Sequence, residues 1–222
     1  MFFDDCWYKN VCTQKCSAGC VRYTEMKYLV DNSGIPSSRQ YPIALEVDNI
    51  DYDKFMALAA IKNNILEFVQ NGNNVYIASK NTGNGKTSWA IKLLLKYFDE
   101  IWAGNGLKIR GLFIHVPTLL LQLKNFNSPL SEEYKNNLIQ ADLIVWDEIA
   151  STSISNYDYS NLLMFLENRL LNNKSNIFTT NCTDKNDLEE IIGVKLASRV
   201  WNTSNIILLK GKDRRGISSN IK

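Results

Sequence analysis

The apolar run Val75-Tyr76-Ile77-Ala78 passes without a break into Ser79-Lys80-Asn81-Thr82-Gly83-Asn84-Gly85-Lys86-Thr87-Ser88, and a helix-patterned stretch follows at once. A short strand with no polar alternation is covered on both faces, so strand, glycine-bearing turn and helix in this order leave few folds open. The turn fits G-x-x-x-x-G-K-[ST] at Gly85, Lys86 and Thr87, with Lys80 where the pattern has its first glycine. Backbone amides that curl around an anion need side chains to be absent at Gly83 and Gly85. Asn84 lies between those glycines, and Ser88 belongs to the first turn of a helix whose N-terminal dipole favours negative charge. The Lys86 ammonium can then reach β- and γ-phosphates, and the Thr87 hydroxyl can hold Mg²⁺.

The same alternation runs through the rest of the chain. Residues 52–70 have helical spacing, with Phe55, Leu58, Ala59, Ile65, Phe68 and Val69 on one face, and stop at Asn71-Gly72. Strand-like runs recur at 112–116, 143–146, 176–180 and 206–209. Helical stretches are expected at 87–97, from Pro117 onward, and near 157–173, 184–192 and 195–202. Continuous apolar strands separated by helices predict an α/β fold with a five-stranded parallel sheet between two helical layers. Ligands in such folds gather at the carboxyl ends of the strands.

Two of those ends carry chemistry. Leu143-Ile144-Val145-Trp146 ends in Asp147-Glu148, where Asp147 would face the Mg²⁺ held by Thr87 and Glu148 would polarise an attacking water as general base. Phe178-Thr179-Thr180 ends in Asn181, whose neutral amide could fix that water between the γ-phosphate and Glu148. The nucleotide-holding set is thus Gly83, Asn84, Gly85, Lys86, Thr87, Ser88 and Asp147, with ATP and Mg²⁺ as the expected ligands.

Residues 1–30 read differently, rich in cysteine and in aromatics (Phe2, Phe3, Trp7, Tyr8). The turn formers Asp31-Asn32-Ser33-Gly34-Ile35-Pro36 close this region, and predict a small domain at 1–35 ahead of a main domain at 36–222. The amino terminus has no apolar signal core and no run approaches the roughly 18 apolar residues of a membrane span, so a cytoplasmic, reducing setting is expected. Four of the five cysteines, Cys6, Cys12, Cys16 and Cys20, fall within fifteen residues as C-x5-C-x3-C-x3-C. In a reducing compartment four thiolates suit a closed structural Zn²⁺ site; an iron–sulfur cluster and free thiols are the rivals. A helix would align Cys12, Cys16 and Cys20 along one face, and a knuckle would serve equally. Cys182 reads as a small buried packer, and His115, the single histidine, as a core or strand-end residue. With 25 basic residues against 23 acidic the net charge is +2, which excludes a generically basic nucleic-acid coat but not a local basic patch.

Taken in order, the Cys-rich front, Ile35-Pro36, Gly83–Ser88, Ala141-Asp142-Leu143, Val145-Trp146-Asp147-Glu148, Thr180-Asn181 and Leu196-Ala197-Ser198-Arg199 resemble an AAA+ ATPase. More narrowly, the chain is similar to the DnaC/DnaI-type replicative helicase loaders, especially the short forms of phages of Gram-positive bacteria. The resemblance implies that Arg199 is an arginine finger reaching into a neighbouring subunit's ATP, so that the chain self-associates. It also implies that residues 1–35 grip a hexameric replicative DNA helicase, and that single-stranded DNA is contacted from the 117–137 region, which carries Lys124 and Lys135. Gly211-Lys212-Asp213-Arg214-Arg215 resembles the family's terminal segment.

Roughly a dozen residues follow the fifth strand, too few for the helical lid of the wider AAA+ pattern. ATP is therefore expected chiefly at a subunit interface, and the function that follows is ATP-dependent loading of a helicase onto single-stranded DNA. The alternatives are a transposition-helper AAA+ ATPase and an adaptor that binds nucleotide without turnover. The zinc-like front favours the loader over the first, and Glu148 argues against the second. A small-molecule kinase is disfavoured, since no lid or acceptor pocket is evident.

Overall fold

The computed structural model describes residues 6–41, 45, 49–124 and 130–213; Phe2, Phe3, Arg214 and Arg215 lie outside the described residues. In chain order the helices and strands are α1 (Val21–Asp31), α2 (Tyr52–Asn63), α3 (Ile65–Gln70), β1 (Asn74–Ala78), α4 (Lys86–Ile101), β2 (Gly111–His115), α5 (Val116–Leu123), α6 (Glu132–Gln140), β3 (Leu143–Asp147), α7 (Asn156–Leu171), β4 (Ser175–Thr180), α8 (Lys185–Ile192), α9 (Val194–Asn202) and β5 (Ser204–Leu208). The strands form one sheet of order β2-β3-β4-β1-β5, with every neighbouring pair parallel. The helix expected over 52–70 is two helices, broken at Asn64, whose backbone leaves the helical region at φ −115° and ψ 33°.

Because side chains alternate along a strand, each strand serves both layers. Val75, Ile77, Val145 and Ile177 point into a core closed by α1–α4, while Tyr76, Ile144, Trp146 and Phe178 point into a second core under α5–α9. This order puts β4 between β1 and β3. The loop after β1, the carboxylates ending β3 and Asn181 after β4 therefore rise from three adjacent strand tips.

The boundary expected near residue 35 is not a gap in the packing. Tyr8, Met26, Leu29, Val30 and Ile35 belong to the same buried core as α4 and β1. The Tyr8 hydroxyl donates to Asp99 Oδ1 at 2.7 Å, and Arg22 joins the same carboxylate at 3.0 Å with its guanidinium 3.4 Å above the Tyr8 ring. The buried Ser33 accepts the Phe113 N–H at 2.6 Å, which docks the chain after α1 on the edge strand β2.

The zinc expectation finds no support among the described residues. Among the described residues, no three His, Cys, Asp or Glu side chains stand close enough together to hold a metal ion. The helix that would have aligned Cys12, Cys16 and Cys20 begins only at Val21, past the last of them. Cys12 and Cys16 are exposed, and Cys6 turns its sulfur onto the Tyr8 N–H at 3.4 Å.

No helix among the described residues is long and apolar enough to cross a membrane. None of them follows β5 either: the Leu209 N–H donates to Ala78 O at 2.8 Å, and the next residues lie beside the loop after β1. The buried Asp51 carboxylate accepts the N–H groups of Lys210 and Gly211 at 2.8 and 2.7 Å, and the Asn81 amide donates to both of their carbonyls at 3.0 Å.

Candidate active site

A cleft of about 440 Å³ opens at the carboxyl ends of the strands, walled by Gly83–Ser88 on one side and by Asp147, Glu148, Thr179, Thr180 and Asn181 on the other. The loop is built as its sequence requires. Gly83 and Gly85 have φ of +68° and +99°, which side chains rarely adopt, and Gly85 is the N-cap of α4. Its carbonyl accepts the Trp89 N–H at 2.8 Å and starts the helix ladder. Asn84 is buried and donates to Ser79 Oγ at 2.5 Å, pinning the loop from inside. Lys86 bends back on the loop, its Nζ 2.9 Å from Asn81 O and 3.5 Å from Ser79 O.

The opposite wall turns on one threonine that sequence reasoning missed. Thr179 Oγ1 donates to Asp147 Oδ1 at 2.6 Å and accepts the Glu148 N–H at 3.1 Å. Thr87 Oγ1 donates to the same Asp147 oxygen at 2.7 Å, so a hydroxyl of the phosphate loop and the strand-end carboxylate already meet. Asp147 is buried, its Oδ1 doubly bonded, and its Oδ2 makes no hydrogen bond among the described residues. Glu148 takes a left-handed backbone, φ +59°, which costs a non-glycine residue roughly 1–2 kcal/mol. Thr179 holds that turn at both ends, since its carbonyl accepts the Ile149 N–H at 3.1 Å. The turn throws the Glu148 side chain out into the cleft, where it is half exposed.

His115 is a strand-end residue, the last of β2, and faces Asp147 across the β2–β3 register. It is not a bystander: Nε2 stands 3.4 Å from Glu148 Oε2 and Nδ1 2.8 Å from Thr118 Oγ1. Asn181 lines the cleft beside Thr180. Arg199 does not. It sits on α9 with its guanidinium 3.4 Å from Glu167 of α7, outside the cleft of its own chain. Lys124 and Lys135 are both committed to carboxylates, of Asp158 at 2.8 Å and Glu132 at 2.6 Å.

These groups fit a magnesium nucleotide. Thr87 Oγ1 and the unbonded Asp147 Oδ2 are hard oxygen donors of the kind Mg²⁺ takes. Lys86 Nζ reaches two backbone carbonyls of the loop itself, and two left-handed glycines keep Cβ atoms out of it.

No protein-family profile and no curated protein matches the sequence. Solved structures match it in shape. The crystal structure of the DnaC helicase loader superposes with a TM-score of 0.62 at 20% identity, covering 74% of this chain and 92% of that one. The crystal structure of DnaI gives 0.60 at 17% identity over 85% and 93%. The replication initiator DnaA bound to AMPPCP and single-stranded DNA gives 0.59 at 14% identity over 84% and 50%. What is shared at these identities is the fold, a five-stranded parallel sheet between helical layers.

Proposed function

We propose that the chain is a helicase loader of the DnaC/DnaI type, which binds and hydrolyses ATP and uses that cycle to place a hexameric replicative helicase on single-stranded DNA. The observation that carries the reading is the meeting of Thr87 and Asp147 beneath Lys86, with Glu148 turned into the same cleft. Magnesium, when bound, would neutralise the phosphate charge that builds up during phosphoryl transfer. The chain's own residues do the rest. The amides and Lys86 hold the phosphates, Thr179 orients Asp147 and Glu148, Glu148 takes the proton of the attacking water, and Asn181 steadies that water.

Arg199, exposed on α9 and apart from its own cleft, suits an arginine supplied to a neighbouring subunit. DNA contact is carried over from DnaA, whose structure holds single-stranded DNA, and is assigned to no particular lysine here, since Lys124 and Lys135 are already paired. Zinc keeps only the sequence spacing as support; stoichiometric zinc in the purified protein would restore it, and none would end it.

The test is co-purification with a hexameric replicative helicase with and without Mg-ATP, with Lys86→Ala alongside. The expected result is nucleotide-dependent capture, and loss of nucleotide binding in Lys86→Ala. A chain that never retains the helicase overturns the loader role; unaltered ATP affinity in Lys86→Ala overturns the site.

A further inference from the structure

Besides Lys86, one other permanent cation among the described residues lines the cleft: Arg39. It is the last residue of a short 3₁₀ turn, Ser37–Arg39, in the stretch between α1 and α2. The backbone around it is fastened on every side. The Arg39 N–H donates to Pro36 O at 2.8 Å, and the Gln40 amide donates to Ile35 O at 3.2 Å. The Trp7 indole N–H donates to Gln40 O at 2.7 Å, and Phe113 N–H to Ser33 O at 2.6 Å moors the start of the stretch on β2.

The guanidinium at the end of this scaffold makes no hydrogen bond or ion pair among the described residues. The other four described arginines all do. Arg22 bonds Asp99, Arg110 bonds Asp142, Arg199 faces Glu167, and Arg169 is enclosed by carbonyls. A half-buried arginine held by a fixed backbone, yet left without a partner beside a phosphate loop, is arranged for an anion that comes from outside the chain. Its planar fork matches a phosphate's oxygens in a way that the point charge of lysine does not.

We propose that Arg39 is a nucleotide-binding residue that grips the terminal phosphate of a nucleoside triphosphate. This rests on the reading of the cleft as an ATP site. The terminal end is favoured over the amide cradle because Arg39 is moored to β2 and not to β1. Phe113 and His115 of β2 line the cleft with it, and His115 reaches Glu148, the group placed to act at the terminal phosphate. The arginine would thereby make the chain prefer triphosphate over diphosphate.

Calorimetry on the full chain, with Mg-AMPPCP and Mg-ADP as titrants, tests this in the wild type, Arg39→Ala, Arg39→Lys and Lys86→Ala. In Arg39→Ala the affinity for AMPPCP should fall about tenfold or more, the loss of a charge-assisted hydrogen-bond pair, while ADP changes by less than about threefold. Arg39→Lys should recover part of the difference. Lys86→Ala should lose both ligands. Unchanged AMPPCP affinity in Arg39→Ala, or an equal loss of both ligands, overturns the proposal while the ATP site stands. A wild type that binds neither nucleotide overturns both. If Arg39→Ala does not fold, Arg39→Gln, which keeps the stem and a hydrogen-bonding head, takes its place with the same expected split.

Discussion

Arg169 is fully buried and forms no ion pair among the described residues. Its guanidinium donates to Leu138 O at 3.1 Å, Ala141 O at 2.7 Å, Ser175 O at 2.6 Å and Asn176 Oδ1 at 2.7 Å. Leu138 lies in the last turn of α6, where the carbonyl end of the helix dipole attracts a cation. Burial pushes this guanidinium down to about 9, so it stays charged at neutral pH and ties the end of α6 to the start of β4. Arg169→Met keeps an unbranched apolar chain but leaves these acceptors without their donor. Urea denaturation should register a loss of about 3 kcal/mol or more. Nothing in the sequence marks this arginine, since its acceptors are mostly backbone atoms, and any residue type offers those.

Capping was readable one element at a time. Ser155 begins α7 with a reciprocal cap: its side chain accepts the Asp158 N–H, and the Asp158 carboxylate accepts the Ser155 N–H. What could not be read is that Lys124, at the end of α5 and the one residue there with an expected DNA role, supplies the counter-charge to Asp158. Burial alone would raise the Asp158 carboxyl; the Lys124 and Ser155 hydrogen bonds overcome it and hold the group below the usual carboxylate range. A carboxyl depressed in the folded state contributes stability that is complete above its unfolded value, near 4, and is lost as pH falls through the folded value. Stability followed by denaturation should therefore decline from pH 5 toward pH 3. Lys124→Ala should lower it at pH 7 by about 1–3 kcal/mol and flatten that decline, because a buried carboxylate is left without its partner. An unchanged profile would mean that the pair does not form.

For the whole molecule the sharpest prediction concerns the N-terminal segment. Tyr8, Met26, Leu29 and Val30 are buried in the core that also holds α4. Each such side chain contributes roughly 1.5–3 kcal/mol, and four of them are comparable with the roughly 5–15 kcal/mol that a domain has in total. A chain starting at residue 32 should melt well below the full chain or aggregate on expression. Equal melting temperatures would support the independent domain expected at 1–35.

The strands, the phosphate loop, the carboxylates that end β3 and the helix starts are legible in the amino-acid sequence, because each depends on neighbours within a turn or a strand's length. Apolar runs choose strands, glycines allow left-handed backbone, and Ser, Thr and Asp cap the orphan amides of the next helix. Which side chains meet is another matter. Thr179 under Asp147 and Glu148, His115 against Glu148, Arg39 at the rim of the cleft and Tyr8 and α1 packed in one core with α4 all join positions far apart in the chain. Those meetings follow from strand order and crossover, which bring distant segments to one edge of the sheet, and no local spacing of residues encodes them.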